Sequence, residues 1–324
     1  MIEAGRVAPR AGSCHAGALP PPPPRRGLSV PLWGDAADAE VRLAEVAALG
    51  ATDVALVVTW GQPDVRAAAI APSPATAPDE AVRRAIRAAR GHGLRVLVFP
   101  ILTVDRVAPG EWRGTLAPAD VDAWWQAYER FVLHYAALAA GDGAEALSIG
   151  SELGSTEAWR DRWYHLISRV EKVFAGELTY SANWDHFTGV SFAARLDLLG
   201  VTGYFELTRD ADASEDALTR AWQAPRDALL AWAQRQGKPL ALTEIGYPSL
   251  DGAAARPWDY MRRAAVDVEE QRRAYRAFAR AWGGTPLAAI YVWEWSRPGG
   301  ADDGGYTPRD KPAACELSTW FGAS

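Results

Sequence analysis

Asp53-Val54-Ala55-Leu56-Val57-Val58-Thr59-Trp60, followed after a loop by the amphipathic stretch Asp79 to Arg90 and then Gly91, is where the fold can first be read. The first part is an apolar, β-branched run with no polar alternation, which suits a strand covered on both faces. The second has helical length and ends on a glycine, the usual stop signal. Together they form one strand-then-helix unit of a parallel sheet.

The same unit recurs on both sides. Upstream, Leu28 to Trp33 precedes Asp35 to Leu49, where Val41, Leu43, Val46 and Leu49 fall at helical spacing before Gly50. Downstream, Leu94 to Thr103 leads to the helix Pro118 to Ala139, and Ala146 to Glu152 leads to Thr156 to Phe174. Leu178 to Trp184 is followed by a short helix around Ser191 to Arg195, and Leu198 to Tyr204 by Glu215 to Gln236. Leu240 to Glu244 with Val268 to Trp282, then Leu287 to Trp295 with Pro312 to Phe321, complete eight units. Eight consecutive βα units predict an α/β fold, a single (β/α)8 TIM barrel over residues 28–324. An open doubly wound sheet is the rival, and the absence of Gly-x-Gly-x-x-Gly after the first strand weighs against it. Residues 1–27, with the run Pro20 to Pro24, read as a disordered proline-rich leader.

Composition narrows the function classes. The 324 residues are 49% hydrophobic and 23% charged with a net charge of −6, so nucleic acid and anionic membranes are not expected partners. No run of about 18 uncharged apolar residues predicts a membrane span. The N-terminus lacks the apolar segment of a secretory signal, which leaves the location open between cytoplasm and, if a signal has been removed, the exterior. Cys14 and Cys315 offer neither Cys-x-x-Cys nor a disulfide framework. The five histidines show no His-Glu-x-x-His spacing, so neither metal nor cofactor is expected, and no Gly-x-Ser-x-Gly elbow or phosphate loop occurs. A monomer is expected. The outlying number is 15 tryptophans against 8 phenylalanines.

Barrel active sites are built at the C-terminal ends of the strands. Those ends are Trp33, Trp60, Thr103, Glu152, Trp184, Tyr204, Glu244 and Trp295. Glu152 and Glu244 each follow an apolar strand, and strands four and seven lie on opposite sides of an eight-strand ring. Two carboxyls facing each other across a pocket are what glycoside hydrolysis needs, one as acid and one at the anomeric carbon. The other reading of either glutamate is a salt bridge at the barrel mouth. Indole rings suit the flat C–H face of a pyranose, which makes Trp33, Trp60, Trp184, Trp293 and Trp295 the candidate sugar platforms; Trp293 and Trp295 read equally as inner core, and Trp295, nearer the strand end, is the better platform candidate of the two. Trp124, Trp125, Trp159, Trp163, Trp222, Trp232, Trp282 and Trp320 fall at helical spacing and read as packing. Period two in Tyr291-Val292-Trp293-Glu294-Trp295 puts both tryptophans on one face and Glu294 on the other. Glu206 could bind a sugar hydroxyl or be loop surface, and His186 lies near the mouth.

The run Leu242-Thr243-Glu244-Ile245-Gly246-Tyr247-Pro248-Ser249, with Asp251-Gly252 and Pro257-Trp258-Asp259-Tyr260, resembles the nucleophile region of glycoside hydrolase family 113. Members are β-mannanases of the retaining barrel superfamily called clan A. Ile149-Gly150-Ser151-Glu152-Leu153 is similar to the clan's acid/base strand, and Tyr306-Thr307-Pro308 with Lys311-Pro312-Ala313 to the family's final stretch. The resemblance implies cleavage of a β-linked glycan, most simply β-1,4-mannan, with Glu152 as acid/base and Glu244 as nucleophile. It also implies that Tyr204 bonds the nucleophile and that Trp295 is the platform at the cleavage point. Ser151 stands where much of the clan has asparagine, and Asn183, beside Trp184, is the candidate to supply an amide. A barrel domain of phage-like gene transfer agents carries a similar Gly-Ser-Glu-Leu stretch, so a catalytically silent glycan-binding or assembly barrel is the alternative.

Overall fold

The computed structural model describes residues 18–210, 212–296 and 299–322; most of the expected leader, residues 1–17, lies outside them. Eight parallel strands close into a barrel in sequence order. They are β1 (Arg25–Pro31), β2 (Asp53–Asp64), β3 (Arg95–Arg106), β4 (Ala146–Ser151), β5 (Glu177–Ala182), β6 (Leu198–Thr202), β7 (Leu240–Ile245) and β8 (Leu287–Val292). Helices α1 (Ala39–Ala48), α2 (Asp79–Gly91), α3 (Val121–Asp142), α4 (Arg160–Val170), α5 (Glu215–Ala221), α6 (Gln223–Gln236), α7 (Val268–Trp282) and α8 (Pro312–Phe321) surround it. The chain is a single (β/α)8 barrel.

Alternation along the strands separates two cores. In β2, Val54, Leu56 and Val58 pack outward under the helices, while Ala55 and Val57 join Leu97, Phe99, Ala146, Leu198, Ala241 and Tyr291 inside the barrel. The tryptophans read as packing take that role: Trp124, Trp163, Trp222 and Trp282 are fully buried under the helices.

Four details differ from the expected outline. Strand β1 starts at Arg25, three residues inside the stretch read as leader, because Arg25 to Leu28 pair with Ala289 to Val292 of β8 to close the ring. Ahead of it, the Pro20 carbonyl accepts from the Trp320 indole and the Pro21 carbonyl from Gly284 N–H, which fixes this part of the proline run to the barrel. The sixth helix breaks at Trp222, three residues before Pro225, whose ring has no N–H to continue the ladder. Cys315, on α8, is disulfide-bonded. No helix among the described residues is long and apolar enough to cross a membrane.

Candidate active site

Both glutamates reach the mouth through irregularities in the sheet. Along β4 and β5, Ser148 pairs with Thr179 but Ser151 with Ser181, so β4 carries an extra residue there. Such a bulge bends a strand and re-aims the side chain after it. Gly150 permits it: a Cβ there would sit 2.5 Å from the Tyr128 hydroxyl, which donates to the Ile149 carbonyl. Glu152 follows with φ of +55°, left-handed backbone that few non-glycine residues adopt.

In β7, Leu240 and Leu242 face the helices, and strict alternation would send Glu244 after them. The register instead shifts: Val201 pairs with Leu242 but Thr202 with Glu244, and Leu242 pairs with Ile290 but Ile245 with Val292. Ile245 takes the outward place and Glu244 turns into the mouth.

The two carboxyls are both nearly inaccessible to solvent, and each has its own donors. Thr202, the strand partner of Glu244, donates to Oε1 of Glu152 at 2.9 Å, while the Arg113 guanidinium pairs with Oε2 of Glu152. Tyr204 donates to Oε2 of Glu244 at 2.8 Å, and Ser151 Oγ lies 3.5 Å from Oε1. Burial raises the pKa of Glu244 and the nearby charge of Glu152 raises it further; Arg113 and the Tyr204 hydroxyl pull the other way. Burial likewise pushes Glu294 up, to about 7, and its field adds to the rise at Glu244.

The other expected site residues divide. Tyr204 is in place on Glu244. Trp293 lies at the top of the barrel interior, packed against the inner cluster, and its N–H donates to the Ile245 carbonyl beside Glu244. Asn183 is buried at the end of β5 with its side-chain oxygen unpartnered among the described residues. Trp184 packs edge-on against Phe205 while its N–H donates to the Thr202 hydroxyl, and Trp33 stands half exposed at the rim, bridged to Thr76. Glu206 is exposed and accepts from the Trp258 indole at 3.0 Å.

Two tryptophans are not brought to the site. Trp60 continues the outward parity of Val54, Leu56 and Val58, and its ring packs on Phe131, His134 and Tyr135 of α3. Trp295 turns into the outer core and donates to Glu45 of α1 at 2.8 Å. Period two fails for Trp293 and Trp295 because β8 ends at Val292; the Trp293–Glu294 peptide beyond it is cis. Trp295, expected as the platform at the cleavage point, thus points into the outer core, and Trp293 is the tryptophan whose backbone meets the strand end that carries Glu244.

Arg113 and Thr202 were not singled out from sequence. Arg113 sits on a short 3-10 helix, Arg113–Thr115, in the loop between β3 and α3, where periodicity has no meaning. Its one signal is Trp112-Arg113-Gly114 in a loop at the C-terminal end of a strand: a Cβ on Gly114 would collide with the Trp112 ring, so the glycine lets that turn close. Thr202 was readable as the last inward residue of β6.

A closed barrel holding two buried, neighbouring carboxyls at the C-terminal mouth is the arrangement of a barrel glycosidase. Residues 33–305 match the model of Glycoside Hydrolase Family 113, and the chain belongs to that family. It is a glycoside hydrolase. Among solved structures it is similar to a family 113 β-mannanase from Alicyclobacillus acidocaldarius in complex with ManMIm, at 26% identity and a TM-score of 0.82, covering 96% of this chain and 99% of that one. A family 113 β-1,4-mannanase complex also superimposes with a TM-score of 0.82 at 19% identity, covering 92% of this chain and 98% of that one. Fungal β-1,4-galactanases share the fold more loosely, with a TM-score of 0.58 at 17% identity over 93% of this chain and 99% of that one. No curated protein sequence matches the chain.

Proposed function

We propose that this glycoside hydrolase cleaves β-1,4-linked mannan by double displacement, with Glu244 as nucleophile and Glu152 as general acid/base. The observation that carries the reading is Thr202, which pairs with Glu244 in the sheet and donates to Glu152 at 2.9 Å. The Ser151 hydroxyl, one residue before Glu152, lies 3.5 Å from Oε1 of Glu244, and the charge of Glu152 acts on Glu244; this closeness favours the ~5–5.5 Å separation of a retaining pair over the ~6.5–9.5 Å that leaves room for water in an inverting one. Membership of family 113 and the similarity to its β-mannanase from Alicyclobacillus acidocaldarius support the substrate class.

In the first step Glu244 attacks the anomeric carbon as the glycosidic C–O bond breaks, and the proton of Glu152 passes to the leaving oxygen. In the second, Glu152 takes a proton from water, whose oxygen displaces Glu244 with net retention. Tyr204 favours the ionised nucleophile by donating to it. In the free site both oxygens of Glu152 accept, from Thr202 and Arg113, so before the first step Arg113 gives way and Oε2 takes up a proton from solvent, which it then passes to the leaving oxygen. The ring of Trp293 serves as the platform for the sugar beside Glu244.

Turnover of mannan and of aryl β-mannobiosides, followed by NMR of the first-formed anomer, tests this. The expected product is the β-anomer, and Glu244→Ala loses at least about 10³-fold in kcat. An α-anomer as first product would exclude double displacement, and turnover of other β-glycans but not mannan would move the substrate class.

A further inference from the structure

Behind the site lies a buried polar chain that the mechanism does not use. The left-handed turn at Glu152 has two N–H groups to satisfy on its flanks. Glu152 N–H donates to the Ser181 carbonyl at 2.8 Å, and Leu153 N–H donates to the Tyr180 hydroxyl oxygen at 2.8 Å. That oxygen can face Leu153 as an acceptor because the hydroxyl proton is committed elsewhere, to Oε1 of Glu157 at 2.7 Å. Tyr180 is fixed edge-on between Trp163 and Phe192, with ring centroids at 5.3 and 5.0 Å. Glu157 is 3% exposed, follows the short 3-10 helix Gly154–Thr156, and has Nε2 of His186 3.6 Å from its other oxygen.

Burying a carboxyl under a barrel loop is costly, and burial raises the pKa of Glu157 accordingly. An apolar side chain with phenylalanine in place of Tyr180 would pack there more simply. What the polar pair adds is direction: it points one oxygen at the peptide that carries the acid. Neither residue is among the partners of the Glu152 carboxyl, whose contacts are Thr202 and Arg113.

We propose that Tyr180 and Glu157 are positioning residues for proton transfer, holding the Glu152–Leu153 peptide so that the Glu152 carboxyl meets the leaving oxygen. This rests on the reading of Glu152 as the general acid. A proton held about 1 Å out of place costs up to about 10²-fold, and only where the leaving group must be protonated.

The test compares kcat/KM, which reports departure of the leaving group, on two aryl β-mannobiosides. One carries 2,4-dinitrophenolate, which leaves without a proton, and the other an unactivated phenol, which does not. Glu152→Ala should lose activity on the phenyl glycoside and spare the dinitrophenyl one. Tyr180→Phe should show the same split, about tenfold or more on the phenyl substrate and within about twofold on the other. Glu157→Gln, whose amide oxygen still accepts from Tyr180, should restore most of the phenyl activity that Glu157→Ala loses. Equal losses on both substrates, or a fall in thermal stability alone, would overturn the proposal. If Tyr180→Phe does not fold, the Glu157 pair decides by the same split. Should Glu152→Ala itself not discriminate, the assignment of the acid fails first and this inference falls with it.

Discussion

The proposed mechanism requires Glu244 as an ionised nucleophile in a place where burial and a neighbouring carboxylate both oppose its charge. Arg113 and Tyr204 are the two groups that counter this. A carboxyl with a raised pKa is protonated over more of the acid range, and a protonated Glu244 cannot attack. The acid limb of kcat/KM is therefore expected above the ordinary glutamate value of about 4.3. Removing the guanidinium takes away one of the opposing effects, so Arg113→Met should move that limb to higher pH, by about one unit. Tyr204→Phe should move it the same way while lowering the maximum. A pH profile of each variant on the dinitrophenyl substrate, which makes no demand on Glu152 as acid, checks this. A limb that stays put or moves to lower pH in Arg113→Met would remove Arg113 from the electrostatics of the nucleophile.

At the scale of elements, the boundary between what sequence reveals and what it hides falls where regular strand ends. Inside the strands period two holds: β2 sorts Val54, Leu56 and Val58 from Ala55 and Val57 as a buried parallel strand should. Glu152 and Glu244 were legible because each closes an apolar run, yet their final direction comes from register shifts that no periodicity carries. Trp60 was misplaced for the opposite reason. Strand β2 runs on to Asp64, paired with β3 as far as Arg106, so Trp60 is an interior position of a strand rather than its end, and parity sends it outward. Trp293 and Trp295 were treated as one face because β8 was taken to run through both. The structure places them differently, Trp293 on the inner cluster and Trp295 in the outer core, and substitution should separate the two. Trp293→Ala should lower kcat/KM on mannan at least about tenfold, roughly 1.4 kcal/mol of transition-state binding. Trp295→Phe keeps the apolar ring but loses the hydrogen bond to Glu45, so it should cost ~1 kcal/mol of stability and leave kcat/KM within about twofold. The reverse pattern would restore Trp295 to the site.

Over the whole molecule the barrel keeps chemistry and closure at opposite ends. The site uses the C-terminal mouth; at the other end, side chains from the first residues of several strands tie the ring together. Arg25 of β1 donates to Asp53 of β2 at 2.9 Å and to Glu177 of β5 at 2.9 Å, while its other nitrogen reaches the Tyr291 hydroxyl of β8 at 3.1 Å. Arg95 of β3 approaches both Asp53 and Glu177 at 3.7 Å. Asp53 is completely buried, so its charge is tolerable only with these partners. Asp53→Ala removes the centre of the network and leaves Arg25 under-compensated, which should cost on the order of 3 kcal/mol. The double variant Arg25→Met with Asp53→Ala removes both members and should recover a good part of that loss, since a buried ion pair is close to neutral against an apolar replacement. Because the network shares no residue with the mouth, kcat/KM of the folded fraction should stay within about twofold in both variants. Denaturant unfolding alongside kcat/KM reads the two quantities separately. A stable Asp53→Ala protein with impaired turnover would mean that the two ends of the barrel are coupled, and that the bottom network shapes the site as well as closing the ring.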